Sequence, residues 1–283
     1  MNIIKNLSIC MLAVILISGT HTAKAYAGNK KSVIEVIQDR GVMKVGLSFF
    51  TPWVMNGSNG ELAGFEPDVA RKLAADMEVE VEFIPVEWPE IISELNNETF
   101  DVIIAGMSIR PSRNLLINFT DPYAYSGLTI LANKAMTEDL EYYTEYDNQD
   151  ITFAARRGST PEKVIKLMFP DAKLILFEED GAATAAVVAG DAHAMMESEP
   201  GPSNNERLYP EKLHVPFYET FQANGEGFGV RKSDPDALNF FNNWIAQQWR
   251  SGWLEEKNDY WFRGIEWEGL VQKNDYWFRG IEW

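Results

Sequence analysis

Three stretches of the chain carry groups that can hold a small charged molecule. In "FDVIIAGMSIRPSR" an apolar run gives way to Ser108, Arg110 and Arg113. Arg113 follows a Ser-Ile-Arg-Pro-Ser turn, where its guanidinium can face a cleft while Ser108 and nearby backbone amides add donors. The bland alternative for Arg113 is a surface salt bridge, which contributes little. Arg110 has no such support and reads as a solvated charge. In "RRGSTPEK" a glycine turn leads into Ser159, with Thr160 at the N-cap position, Pro161 in the first turn and Glu162 behind it. Free amides at a helix start form an anion seat, so Ser159 and Thr160 suit one side of a carboxylate, although an ordinary capped helix reads the same way. The third stretch, "AMMESEP" at 194–200, sets Ser198 between Glu197 and Glu199. Carboxylates there can balance a cation or deliver a proton.

Other chemistries find less support. The single cysteine, Cys10, lies in the N-terminal apolar run, and His193 and His214 lack the short spacing of a metal-ligand pair. There is no Gly-x-Ser-x-Gly, and "GEGFGV" has too few glycines in place for a dinucleotide loop. Neither a cofactor nor a metal is expected. Phe50 and Trp53 in "SFFTPW", and Trp88, can form walls that hold an apolar or cationic group, or can serve as core, the reading that suits Trp53 best.

The elements that must position these groups alternate between strand and helix patterns. "VMKVGL", "VEVEFIPV" and "DVIIAGM" read as strands, and "DVARKLAADM" puts Val69, Leu73 and Met77 on one helical face. A second set follows in "ITFAARRGS", a helix from Thr160, "AKLILF", "AATAAVVAG" and "AHAMME". Two successive βα sets predict two α/β lobes. "YSGLTILANK" and "FQANGEGFGVRK" read as crossings between them, and two crossings make a hinge. A closing helix starts at Ser233 or Asp234, with Leu238, Phe241, Ile245 and Trp249 as its apolar stripe.

The N-terminus, with Lys5, the run "LSICMLAVILISG" and then "HTAKAYAG", reads as a secretory signal peptide cleaved after Ala25 or Ala27. The apolar run is shorter than the ~20 residues of a membrane span. The full chain carries a net charge of -17, and losing residues 1–25 removes Lys5 and Lys24 but no acid. So acidic a product is a poor partner for nucleic acid or anionic membranes. With Cys10 gone, disulfides and thiolate chemistry are excluded.

"GELAGFEPDVARKLA" followed by "VEWPEIISELNNETFDVIIAGMSIRPSRNLLINFTDPY" resembles the periplasmic solute-binding proteins of ABC transporters, polar amino-acid type, from about Gly41 to about Phe262. The features that carry the resemblance are Gly64 with Phe65, the run Asp101 to Ile109, Arg113, and Asp121 to Tyr123. It implies a two-lobed α/β fold of the periplasmic-binding-protein type II class with hinge strands. The lobes would comprise residues 30–128, 129–224 and a return at 225–267. The expected ligand is an amino acid or related small carboxylate, and the expected partner is a membrane permease.

By the same resemblance Arg113 grips the ligand's α-carboxylate, Gly106 and Ser108 lie at the same strand end, and Ser159 and Thr160 approach from the second lobe. Phe50 and Trp88 would be cleft walls. The family's aspartate for the α-amino group falls on Ser198, which cannot balance a buried ammonium. Either a neighbouring glutamate takes the role, Glu199 ahead of Glu197 because the turn at "EPGP" can redirect it, or the ligand carries no ordinary α-amino group. Cyclohexadienyl dehydratases share the fold and are similar in this region, but where they keep a catalytic glutamate this chain has Gly201. A ligand-presenting sensor is the third possibility. Finally, "KNDYWFRGIEW" at 257–267 recurs at 273–283, so residues 268–283 are expected to be an exposed, poorly ordered duplicated tail.

Overall fold

The computed structural model describes residues 31–217 and 219–263. The expected signal peptide and the duplicated tail lie outside the described residues.

The strand Val42–Leu47 buries one face through Met43, Val45 and Leu47, and on the other face Gly46 lies against the Phe100 ring. It pairs in parallel with Glu80–Pro85 on one side and with Val102–Ile103 on the other. Gly229–Val230 and Asn118–Phe119 complete this first sheet in antiparallel sense. Helix Phe65–Asp76 packs on it through Val69 and Leu73, with Met77 buried at its end. Helix Pro235–Ser251 is capped by Asp234, whose carboxylate accepts from the Ala237 amide at 3.0 Å and from the Ser32 hydroxyl at 2.7 Å. One side chain thus ties the closing helix to the start of helix Val33–Arg40, whose N-cap is Ser32. Phe241 and Ile245 enter the core, and Leu238 and Trp249 pack at its margin.

The second sheet is built around Ala194–Ser198, antiparallel to Ala124–Asn133 and parallel to Thr152–Arg156, with Lys173–Phe177 beyond. Leu213–His214 and Gln222–Glu226 both pair with Ala124–Asn133. A separate core of Ile130, Phe153, Phe169 and Met196 fills this lobe. Its helix Thr160–Met168 starts one residue earlier in function than its sequence suggests. Ser159 is the N-cap, its hydroxyl accepting from the Glu162 amide at 3.2 Å, and Thr160 is the first helical residue.

The chain is therefore an α/β protein of two lobes, one main sheet each, with a small two-stranded ribbon of Met55–Asn56 and Leu62–Ala63 besides. It passes between the sheets after Asn118–Phe119 and returns after Gln222–Glu226. Ala124 lies opposite Glu226, so the passages run side by side, and Ser108 forms a bridge to Glu226. Burial pushes the Glu226 carboxyl up to about 8, and Ser126 donates to it at 2.7 Å. A neutral acid suits so dry a crossing.

Candidate functional site

Between the sheets lies a cavity of about 670 Å³, counted with its open mouth. The first lobe contributes Phe50, Trp88, Gly106 and Ser108; the second contributes Arg156, Ser159, Thr160, Asp180, Glu197 and Ser198, among others. Arg156 and Ser198 are the last residues of their strands, and Ser159 and Thr160 start a helix. Gly106 has φ +59, and a side chain there would press on the Trp53 ring at 3.0 Å, so only glycine leaves this wall open. Trp53 itself is core, 1% exposed, and stacks on Phe50 at 6.1 Å between ring centroids.

Several polar contacts cross the cleft and hold the lobes together. Arg113 donates through Nη1 to the Ser108 carbonyl at 3.0 Å and through Nη2 to the Gly158 carbonyl of the other lobe at 3.3 Å. Trp88 Nε1 donates to the same Gly158 carbonyl at 3.3 Å. Two guanidiniums approach its ring, Arg113 at 5.3 Å and Arg156 at 5.9 Å from the centroid. Thr160 Oγ1 donates to Ser108 Oγ at 3.3 Å. Arg156 reaches back from the second lobe to the Phe49 carbonyl at 2.8 Å and the Ser48 hydroxyl at 2.9 Å.

Arg113 is 7% exposed and meets no carboxylate among the described residues; burial, then the neighbouring Arg110, pulls its pKa down to about 10. A buried cation without a counter-ion is a costly arrangement that an incoming anion relieves. Arg110 departs from the solvated charge expected of it: it is partly buried, and its Nη1 has no hydrogen-bond partner. It adds positive potential at the Arg113 end.

Opposite in charge is the end formed by the second lobe. Burial, then Asp180 and Glu199, pushes the Glu197 carboxyl up to about 8, against the pull of Arg156. Asp180, which precedes the helix Ala182–Ala189, is raised to about 6 by burial while Arg156 and the Thr51 and Gly181 amides draw it back. Among the described residues neither a hydrogen bond nor an ion pair holds the Glu197 carboxylate.

Of the residues expected from the sequence, Phe50, Trp88, Gly106, Ser108, Ser159, Thr160 and Ser198 line the cavity. Arg113 stands behind Ser108, outside the lining. The order given to the two glutamates is reversed in space: Glu197 lines the cavity, whereas Glu199 lies off it, with Oε2 accepting from the Ser203 amide at 3.4 Å. Successive side chains of a strand point to opposite faces, but this strand ends at Ser198, and both Glu197 and Ser198 line the cavity. His193 and His214 make structural contacts: His193 Nδ1 accepts from the Thr152 amide at 3.2 Å, and His214 Nε2 meets the Thr137 hydroxyl at 2.8 Å. Arg156 and Asp180 were not picked out from sequence. Their signals are weak, a strand-ending arginine before a glycine turn and an aspartate before a glycine at a helix start.

The sequence profile of the bacterial extracellular solute-binding proteins, family 3, matches residues 43–264. The chain belongs to this family. Among its relatives is the L-cystine-binding protein TcyJ of Escherichia coli, 24% identical over 89% of this chain and 93% of the relative. Another is cyclohexadienyl dehydratase of Pseudomonas aeruginosa, 24% identical over 84% of this chain and 89% of the enzyme. Solved structures include a chain from Wolinella succinogenes, assigned as a binding component of an ABC transporter and complexed with lysine. It has a TM-score of 0.77 and 30% identity, covering 81% of this chain and 99% of the other. An ancestral amino acid-binding protein, a precursor of cyclohexadienyl dehydratase, has a TM-score of 0.74 and 33% identity over 82% of this chain and all of its own.

Proposed function

We propose that the chain captures an amino acid with a net positive charge in the periplasm and presents it to the permease of an ABC transporter. The observation that carries this reading is the polarity of one cavity. Among the described residues, three carboxylates, Glu179, Asp180 and Glu197, face a single lining guanidinium, Arg156, at one end, while Ser108, Ser159 and Thr160 lie near buried Arg113 at the other. The ligand's α-carboxylate takes the donors of the Arg113 end, its ammonium group meets Glu197, and Phe50 and Trp88 flank the rest. Two cationic groups and one carboxylate on the ligand match the sign of each end. Lysine and arginine also appear as bound ligands in solved relatives, in line with that charge.

Closure follows from the same contacts. Residues of both lobes, moving about the paired passages at Ala124 and Glu226, meet the ligand together only when the cleft is shut, so binding shifts the population to the closed form that a permease recognises. Export through removal of residues 1–25 places the protein where such a partner works.

A second reading is favoured by the burial of Glu197, which pushes its carboxyl up to about 8, the range a general acid needs. In that case the chain is a dehydratase of the cyclohexadienyl type. A thermal-shift screen of the chain from residue 26 onward, against L-arginine, L-lysine, L-glutamine, L-cystine and prephenate, separates the two. A ligand at 100 times its Kd stabilises by about 2.7 kcal/mol. Stabilisation by basic amino acids without turnover supports capture. Consumption of prephenate, with no response to amino acids, overturns it.

A further inference from the structure

Gly201 is the first residue of helix Gly201–Leu208, and it is buried. Eight glycines among the described residues have positive φ, and Gly201 is not one of them. Its backbone is open to any L residue, and within helices alanine is favoured over glycine. What requires glycine here is space. A methyl group on Gly201 would lie 2.6 Å from Glu197 Oε2, 3.1 Å from its Cδ and 3.4 Å from its Cγ. The Glu197 side chain is folded over Gly201 and occupies the room that a side chain at 201 would fill.

The consequence reaches the cavity. Glu197 precedes the position where the family's aspartate is expected, and Ser198 leaves that position without charge. The Glu197 carboxylate that lines the cavity itself lies over Gly201, its Oε2 and Cδ nearest, so a Cβ at 201 would displace it. The neighbouring positions do not offer that room: Pro200 and Pro202 flank Gly201, and both are buried.

We propose that Gly201 is a positioning residue for ligand specificity: by yielding its side-chain space to Glu197, it sets the carboxylate that seats the ligand's ammonium group. This rests on the reading of the cavity as an amino-acid site. The pair Glu197 and Gly201 replaces, by a one-residue displacement along the strand, what a single aspartate at 198 would do. Asp180 forms the other jaw of the seat, and the Arg156 guanidinium offsets part of the repulsion between the two acids.

The test is a double-mutant cycle read by calorimetric titration of L-arginine, L-lysine and L-glutamine into the chain from residue 26 onward, as wild type, Gly201→Ala, Glu197→Ala and the double variant. The methyl group added by Gly201→Ala meets the far end of a flexible side chain, so the fold accommodates it by moving the Glu197 carboxylate. Unliganded Gly201→Ala is expected to melt at or above the wild-type temperature yet to bind the amino acids it recognises at least tenfold more weakly. In the Glu197→Ala background the same substitution is expected to change affinity less than twofold, because the group it acts through is gone. A Gly201→Ala affinity within twofold of wild type, or an equal loss in both backgrounds, overturns the proposal while leaving amino-acid capture intact. Failure of the wild type to bind any of the three removes the underlying reading and this proposal with it.

Discussion

Glu66 and Glu197 are both acids whose carboxyl groups burial pushes up to about 8, yet they stand in opposite positions with respect to partners. Glu66, in the first turn of helix Phe65–Asp76, is fully buried, and both of its oxygens lie 2.8 Å from the Tyr123 hydroxyl. That hydroxyl accepts from the Gly106 amide at 3.1 Å, and the Tyr123 ring stacks on Phe65 at 6.0 Å. The network is closed within the first lobe. Glu197 has no hydrogen-bonding partner among the described residues and opens on the cavity. A buried acid with its partner supplied is part of the scaffold, and one whose partner is missing is waiting for a ligand.

The sharpest way to break this comparison is to remove each acid and ask which property fails. Glu66→Ala leaves the Tyr123 hydroxyl facing a void, and a loss of about 3 kcal/mol in chemical denaturation is expected. Glu66→Gln keeps a neutral group of the same size and isolates the titration. Since Glu66 gives up its proton near 4.5 in the unfolded chain but only at about 8 in the folded one, its contribution to stability is full at low pH and is lost as pH rises through that window. In the glutamine variant the stability between these pH values is expected to fall less steeply than in wild type. Equal slopes would show that Glu66 is ionised in the folded protein.

Glu197→Gln is the counterpart. Its expected effect is on binding: affinity for a cationic amino acid falls about 30-fold, roughly 2 kcal/mol, as for a lost charge-assisted hydrogen bond. Melting of the unliganded chain should not fall. A large drop in unliganded stability would place Glu197 with Glu66 as scaffold.

Proton linkage gives a smaller and more diagnostic effect. In the free site Glu197 keeps its proton below about 8, whereas a bound ammonium favours the carboxylate, so binding expels a proton. Affinity is expected to rise with pH up to about 8, by at most tenfold per unit, and then level off. Below about 6 Asp180 also becomes protonated and affinity falls further. Titrations at several pH values, repeated in buffers of different ionisation enthalpy, count the protons released. In Glu197→Gln the dependence between 6 and 8 should vanish.

The fold was largely legible because its signals are local. Val69, Leu73 and Met77, or Phe241 and Ile245, declare their buried faces through periodicity alone, and all are buried. One half of the site was legible for the same reason, since Gly106, Ser108 and Arg113 follow a single strand. The other half is assembled from Arg156, Asp180 and Glu197, on three segments that only the sheet order brings together. Nothing in the spacing of those residues reveals that they share a cavity. Capping shows the same limit on a smaller scale, since Ser159 and Thr160 are both good N-caps and backbone geometry decides between them.

The pair Glu197 and Glu199 turns that limit into the smallest predicted effect. By sequence Glu199 was the better candidate, because a turn can redirect a side chain. In the structure its carboxylate lies against the Ser203 amide, off the cavity wall, and acts on the site only through repulsion of Glu197. Glu199→Gln removes that repulsion and leaves the seat in place. Affinity at pH 7 should therefore change less than twofold, and the change should come from easier ionisation of Glu197, seen as a slight shift of the pH profile to lower values. If instead Glu199→Gln abolishes binding while Glu197→Gln does not, the ammonium seat lies at Glu199 and the strand end must turn further than its hydrogen bonds indicate.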